Sequence, residues 1–211
     1  MGWSNGVGWN AHEGGNVPAV GGGGGSGVTW DPNDFQVADT FGNARWDLTG
    51  GNLTATTKNN TGGACAITST HALSGKCRFE VTPNSTTCTP GLSLAALKSS
   101  GGGGGLFGSN GGLIWAPTGH VFIGFSDQGA VAPTYAAGDH LGVEVDMTLK
   151  QAWFVVNGGS RLPAGAGVDI SGMPGSLYAA ADGGTTVGNV AVLNTGPSWN
   201  TTAAAGFGGI P

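Results

Sequence analysis

Residues 138–159 read GDHLGVEVDMTLKQAWFVVNGG. Two short apolar runs flank a polar turn, and the first run alternates. Leu141, Val143, Val145 and Met147 share one parity; Gly142, Glu144 and Asp146 share the other. Successive strand residues project to opposite faces, so this pattern predicts a strand with one face in a core. Asp146 is placed to cap the turn into Leu149 and Lys150, because Asx side chains accept from nearby backbone N–H groups. The second run, 152–157, is aromatic and β-branched, and Asn157-Gly158 supplies residues that tolerate positive φ at its exit. The stretch predicts a hairpin that turns at Thr148–Gln151, with Glu144 and Asp146 on its solvent face. Trp153 shares parity with Val155 and is expected to pack inward.

Outward from this hairpin the pattern recurs about every ten residues, as in antiparallel sandwiches and barrels. WDPNDF (30–35) opens the series, and residues 44–57 predict a hairpin around Gly50-Gly51. GACAITST (63–70) and KCRFEVT (76–82) are expected to pair across HALSG, and CTPGLSLAAL (88–97) follows. LIWAP (113–117) and HVFIGFS (120–126) predict another hairpin, and LYAAAD (177–182) with VGNVAVLN (187–194) completes the set. The 44 glycines and 10 prolines among 211 residues leave little room for helix and belong in turns and long loops. An apolar fraction of 39% with a net charge of only -5 sets the chain apart from disordered glycine-rich sequences.

Composition also narrows function. Seven Lys plus Arg give no basic patch for nucleic acid. No apolar stretch approaches a membrane span, and the N-terminus lacks the basic and apolar regions of a secretory signal. Cys65, Cys77 and Cys88 form no metal-binding spacing. Cys77 runs in parity with Phe79 and Val81, and Cys65 with Ile67, so both read as core residues, and free thiols are expected. The four histidines are scattered, and neither a G-x-S-x-G elbow nor a P-loop occurs. No cofactor or metal site is expected. Residues 1–27 carry glycine and two tryptophans without periodicity and read as an arm, with Trp3 and Trp9 as candidate anchors on a partner. Residues 28–211 form the folded domain.

In chain order, the hairpin of 138–159, SGKCRFEVT (74–82), GSLYAAADGG (175–184) and PSWNTTAAAGFGGIP (197–211) resemble the SPRY domains of the concanavalin A-like class. Cys77 stands where an aromatic is usual and Ala179 where proline is usual. The last segment, with TWDPNDFQ and GGNLTAT, is similar to SPRY modules of bacteriophage virion proteins. The arm and the Gly101–Gly105 run lie outside the pattern. The resemblance implies an all-β, two-sheet antiparallel sandwich of jelly-roll type. It also implies a non-enzymatic structural protein of a phage head or tail, as decoration, spike or fibre, folded in the host cytoplasm and exposed on the virion. Expected partners are other virion proteins through the arm and host-surface polysaccharide. A homo-oligomer is allowed, though no heptad repeat demands one.

SPRY ligands dock on loops at one end of the sandwich. By position these are 84–90, 101–110, 127–135 and 157–163, with Trp115, Asp127, Tyr135, Asn157 and Arg161 as candidate contacts. A cellular SPRY adaptor for short peptides is one alternative. The other is a concanavalin-type glycan-cleaving enzyme, which resembles E-x-D-x-E or E-x-D-x-x-E on one strand. Here Glu144 and Asp146 are followed by Thr148 and Leu149, which cannot protonate a leaving oxygen, so the acid would have to come from Asp127 or Asp182.

Overall fold

The computed structural model describes residues 27–33, 45–58, 65–94, 111–196 and 199–211. Trp3, Trp9 and the 101–110 loop lie outside the described residues. Within them the chain forms thirteen strands and no helix. The strands are β1 (Trp46–Thr49), β2 (Thr54–Thr57), β3 (Ala66–Ala72), β4 (Lys76–Pro83), β5 (Thr89–Leu94), β6 (Leu113–Trp115), β7 (His120–Ile123), β8 (Ser126–Ala130), β9 (Leu141–Asp146), β10 (Gln151–Val156), β11 (Val168–Asp169), β12 (Leu177–Asp182) and β13 (Val190–Asn194).

Two antiparallel sheets pack face to face. One has seven strands in the order β1-β2-β13-β4-β9-β10-β11, and the other has six, β3-β12-β5-β6-β7-β8. The inner faces supply the core, which includes Trp30, Trp46, Phe79, Leu92, Trp115, Leu141, Val143 and Phe154. Each of the large ones, fully buried, contributes about 1.5–3 kcal/mol relative to exposure. The indole N–H groups are matched to carbonyls: Trp30 donates to Ala191 at 3.1 Å and Trp46 to Ala66 at 3.2 Å.

The decisive hairpin forms as its pattern predicts. β9 pairs with β10 from Gln151↔Asp146 to Val156↔Leu141. Asp146 Oδ1 accepts from Thr148 N and Leu149 N, both at 2.9 Å. Lys150 and Asn157 take φ of 56° and 49°, the left-handed conformation their turns require. The β1–β2 and β6–β7 hairpins form too, although the run expected as one strand over 120–126 turns at Gly124-Phe125, so that β7 ends at Ile123 and Ser126 begins β8.

Two expectations fail. β3 does not pair with β4: β3 pairs with β12 in one sheet, and β4 lies between β13 and β9 in the other. The residues between them, 73–75, carry the chain across the sandwich, with Leu73 turned into the core. A short link joins two strands equally well within a sheet or between sheets, so its length gave no guidance. Trp153 does not face the core. Its neighbours Ala152 and Phe154 take that role, and Trp153 lies buried on the outer face of the seven-stranded sheet. β8 has an exposed, glycine-containing sequence and no apolar alternation to announce it.

All three cysteines are free and buried, and burial pushes each thiol up to about 12. The native chain is therefore expected to show no reaction with a disulfide reagent at about pH 8, near the pKa of a free thiol, and three reacting thiols once unfolded. Rapid native-state labelling at any of the three would contradict this core.

Candidate functional site

The outer face of the seven-stranded sheet carries a row of polar side chains. Register places Arg78 of β4 opposite Glu144 of β9, and Glu144 opposite Trp153 of β10. Glu80 follows Arg78 on the same face, opposite Gly142. On an ordinary exposed sheet these groups would be hydrated. Here Arg78, Glu80 and Glu144 are each 0% exposed and Asp146 1%. Glu144 and Asp146 do point away from the core, as their parity requires, but they do not meet solvent. This overturns the expectation of a wet face.

The cover is the C-terminal segment, 199–211, which crosses this face as a strap. Arg78 Nη1 donates to Glu144 Oε1 at 3.0 Å and to Thr202 O at 2.9 Å. Arg78 Nη2 donates to Glu80 Oε1 at 2.8 Å and to the Thr201 hydroxyl. That hydroxyl in turn donates to Glu80, whose carboxylate also accepts from Asn200 N at 2.9 Å and Thr201 N at 3.1 Å. Ala204 N donates to Glu144 Oε1 at 2.8 Å, and Arg78 N donates to Gly208 O at 2.7 Å. The strap has no apolar alternation of its own; the charges beneath it hold it through its main chain and the Thr201 hydroxyl. Trp199 stacks over the Arg78 guanidinium at 5.3 Å, and Phe207 meets Trp153 edge-on at 6.0 Å. Gly142 is required beneath: a Cβ there would lie 2.6 Å from Arg78 Nη2.

Beside the strap lies a shallow cleft of about 510 Å³, between Asn157–Gly158 on one bank and Trp199–Ala203 on the other. Its lining is amide, hydroxyl, indole and methyl, with no charged side chain. Asn157 is held in place from both ends: Oδ1 accepts from His140 N at 2.8 Å and Nδ2 donates to Asp139 at 2.7 Å.

The other candidate contacts scatter. Trp115 is fully buried, donates to Pro133 O at 2.9 Å, and packs on Tyr135 and Phe154. Tyr135 is buried as well and donates to Trp115 O. Neither presents a ring to a ligand, which corrects their assignment to the loop surface. Asp127 is exposed on β8, 2.9 Å from His120 Nδ1. Arg161 lies over Trp153 at 3.9 Å and 3.5 Å from Glu144 Oε2. Of the five, only Asn157 lines the cleft. Asp127 and Asp182 belong to the six-stranded sheet, whereas Glu144 points away from it, so a sandwich thickness of about 10 Å separates them.

No family model matches the sequence, and no curated protein matches it. Solved structures do. The SPRY domain of human HERC1 superposes with a TM-score of 0.59 at 17% identity, covering 78% of this chain and 96% of that one. The chain has a SPRY-like fold. A human SPRY domain gives a TM-score of 0.53 at 17% identity, covering 71% of this chain and 94% of its own. The TRIM65 PSpry domain gives 0.53 at 13% identity, covering 79% and 91%. In this SPRY-like sandwich the cleft and the strapped charge row occupy one face of the seven-stranded sheet.

Sequence reasoning passed over Arg78 and Glu80. Arg78 and Glu80 alternate with the core residues Cys77, Phe79 and Val81, a parity that marks the outer face without telling that the face is covered.

Two outcomes follow. Arg78→Met leaves Glu80 and Glu144 buried without their cation and is expected to destabilise the fold by about 3–5 kcal/mol in urea denaturation. A loss within experimental error would show that the carboxylates reach water. For Asp146, burial pushes the carboxyl up, but Leu149 N, Thr148 N and the Lys76 ammonium together hold it below its ordinary 3.8. A depressed folded value contributes stability that is complete above 3.8 and lost as pH falls through the folded value. Thermal melts taken downward from neutrality should therefore fall more steeply below that pH in the native chain than in Asp146→Asn. Parallel curves would remove Asp146 from the acid sensitivity.

Proposed function

We propose that the chain is a non-enzymatic SPRY-like module displayed on a bacteriophage virion, and that it binds host-surface glycan in the cleft between Asn157 and the strap. The observation that carries this reading is the cleft's chemistry. A neutral sugar needs amide and hydroxyl groups for its hydroxyls and apolar surface for its C–H faces; Asn157, Asn200 and Thr202 supply the first, Trp199 and Ala203 the second. The neighbouring carboxylates are engaged: Glu80 and Glu144 are bound to Arg78 and to strap N–H groups. A glycosidase needs two carboxyls free to approach one bond. The virion setting rests on sequence: the strap is the segment that is similar to the ends of phage SPRY modules.

A glycan array probed with the full chain tests the reading. Asn200→Ala and Thr202→Ala change exposed side chains, while the hydrogen bonds by which these two residues hold the strap run through their main chain. Each is expected to weaken glycan binding by about tenfold with an unchanged melting temperature. An array without hits, or affinities unmoved in both variants, would refute glycan binding at this cleft; release of reducing ends would make the chain an enzyme instead.

A further inference from the structure

Beyond the cleft, the outer face holds a second receptacle. Trp153 and Phe207 meet at 80° and form a corner, and Arg161 lies in it, its Cζ 3.9 Å from one ring centroid and 5.5 Å from the other. Behind the corner stands Glu144. Its Oε1 is committed to Arg78 and Ala204 N, while its Oε2 is buried and accepts no hydrogen bond. Arg161 Nη1 stops 3.5 Å short of that oxygen, whereas a seated guanidinium–carboxylate bond would measure about 2.7–2.9 Å. The occupant stacks on the rings but leaves the ion pair open. Its side chain is 32% exposed, and residues 158–160 and 164–166 around it are exposed. The next residue is fixed, because Leu162 exchanges main-chain hydrogen bonds with Phe154 at 2.8 and 2.9 Å. The Arg161 side chain can therefore swing out without moving the loop.

We propose that the Trp153–Phe207–Glu144 corner is a recognition site for an arginine side chain of a partner protein, kept closed in cis by Arg161. A buried carboxylate oxygen without a hydrogen bond retains acceptor capacity that the resident cation does not use. Two aromatic walls favour a planar guanidinium, which stacks, over an ammonium, which does not. An incoming arginine that seats on Oε2 gains what Arg161 leaves unmade, and Arg161 sets the threshold it must exceed. This site does not depend on glycan binding at the cleft.

The test uses the full chain and three peptides, Gly-Arg-Gly, Gly-citrulline-Gly and Gly-Lys-Gly, followed by tryptophan fluorescence and calorimetry. Arg161→Ala removes the resident cation and is expected to bind the arginine peptide at least about tenfold more tightly than the native chain. The citrulline peptide, isosteric but neutral, should not bind, and the lysine peptide should bind more weakly. In the Arg161→Ala background, Trp153→Leu should abolish binding. Should Arg161→Ala fail to fold, Arg161→Gln keeps the stem and answers the same question. A folded variant that does not distinguish arginine from citrulline overturns the site, and equal binding of lysine overturns its assignment to guanidinium. Neither result bears on the glycan array.

Discussion

Arg78 has no exposed surface, and a guanidinium can be taken out of water only with its partners. Much of the outer face of this sandwich follows from meeting that demand. Glu80 and Glu144 flank the cation, Gly142 leaves space for it, Trp199 covers its face, and the strap's own N–H and C=O groups bond to both carboxylates and to the arginine. Such a network is a weak source of net stability, since apolar replacements of a whole buried ion pair are often neutral or better. Its contribution is to register. Trp199, Phe207 and Ile210 seat the ends of the strap, but the Asn, Thr, Ala and Gly residues between them have no apolar pattern to select one register, and a slip by one residue there would set main-chain donors against the Arg78 donors.

The same network locates the cleft. One bank is the turn after β10, held by Asn157 to His140 and Asp139; the other is the strap. The cleft is thus made by docking a segment onto a finished sheet. Likeness to SPRY structures at 13–17% identity conveys the sandwich, not this arrangement.

Alternation at Leu141, Val143 and Val145 was readable because a strand's period of two separates the faces. It states which residues leave the core but not what awaits them outside. Glu144 and Asp146 therefore read as hydrated, although a segment some sixty residues later covers Glu144, and Asp146 is taken up by the turn N–H groups and Lys76. Parity failed at Trp153 because the run 152–156 is apolar on both faces, and a strand buried on both sides has no alternation to read. Trp115 follows the glycine-rich stretch at 101–112 and Tyr135 ends the expected 127–135 loop, yet their indole and phenol groups find carbonyl partners inside the core. The pairing of β3 with β12 and of β4 with β13 joins residues more than a hundred positions apart, and no local pattern encodes such a choice.

The position of β13 bears on how the chain is made. The last strand in sequence lies in the middle of its sheet, between β2 and β4. A ribosome that releases residues at roughly 5–20 per second leaves the facing edges of β2 and β4 without their shared neighbour until β13 emerges, more than a hundred residues after β4. During that interval each is an open strand edge, and open edges recruit other chains. Translation speed and whatever shields nascent strands therefore bear on how much of the chain reaches the folded sandwich.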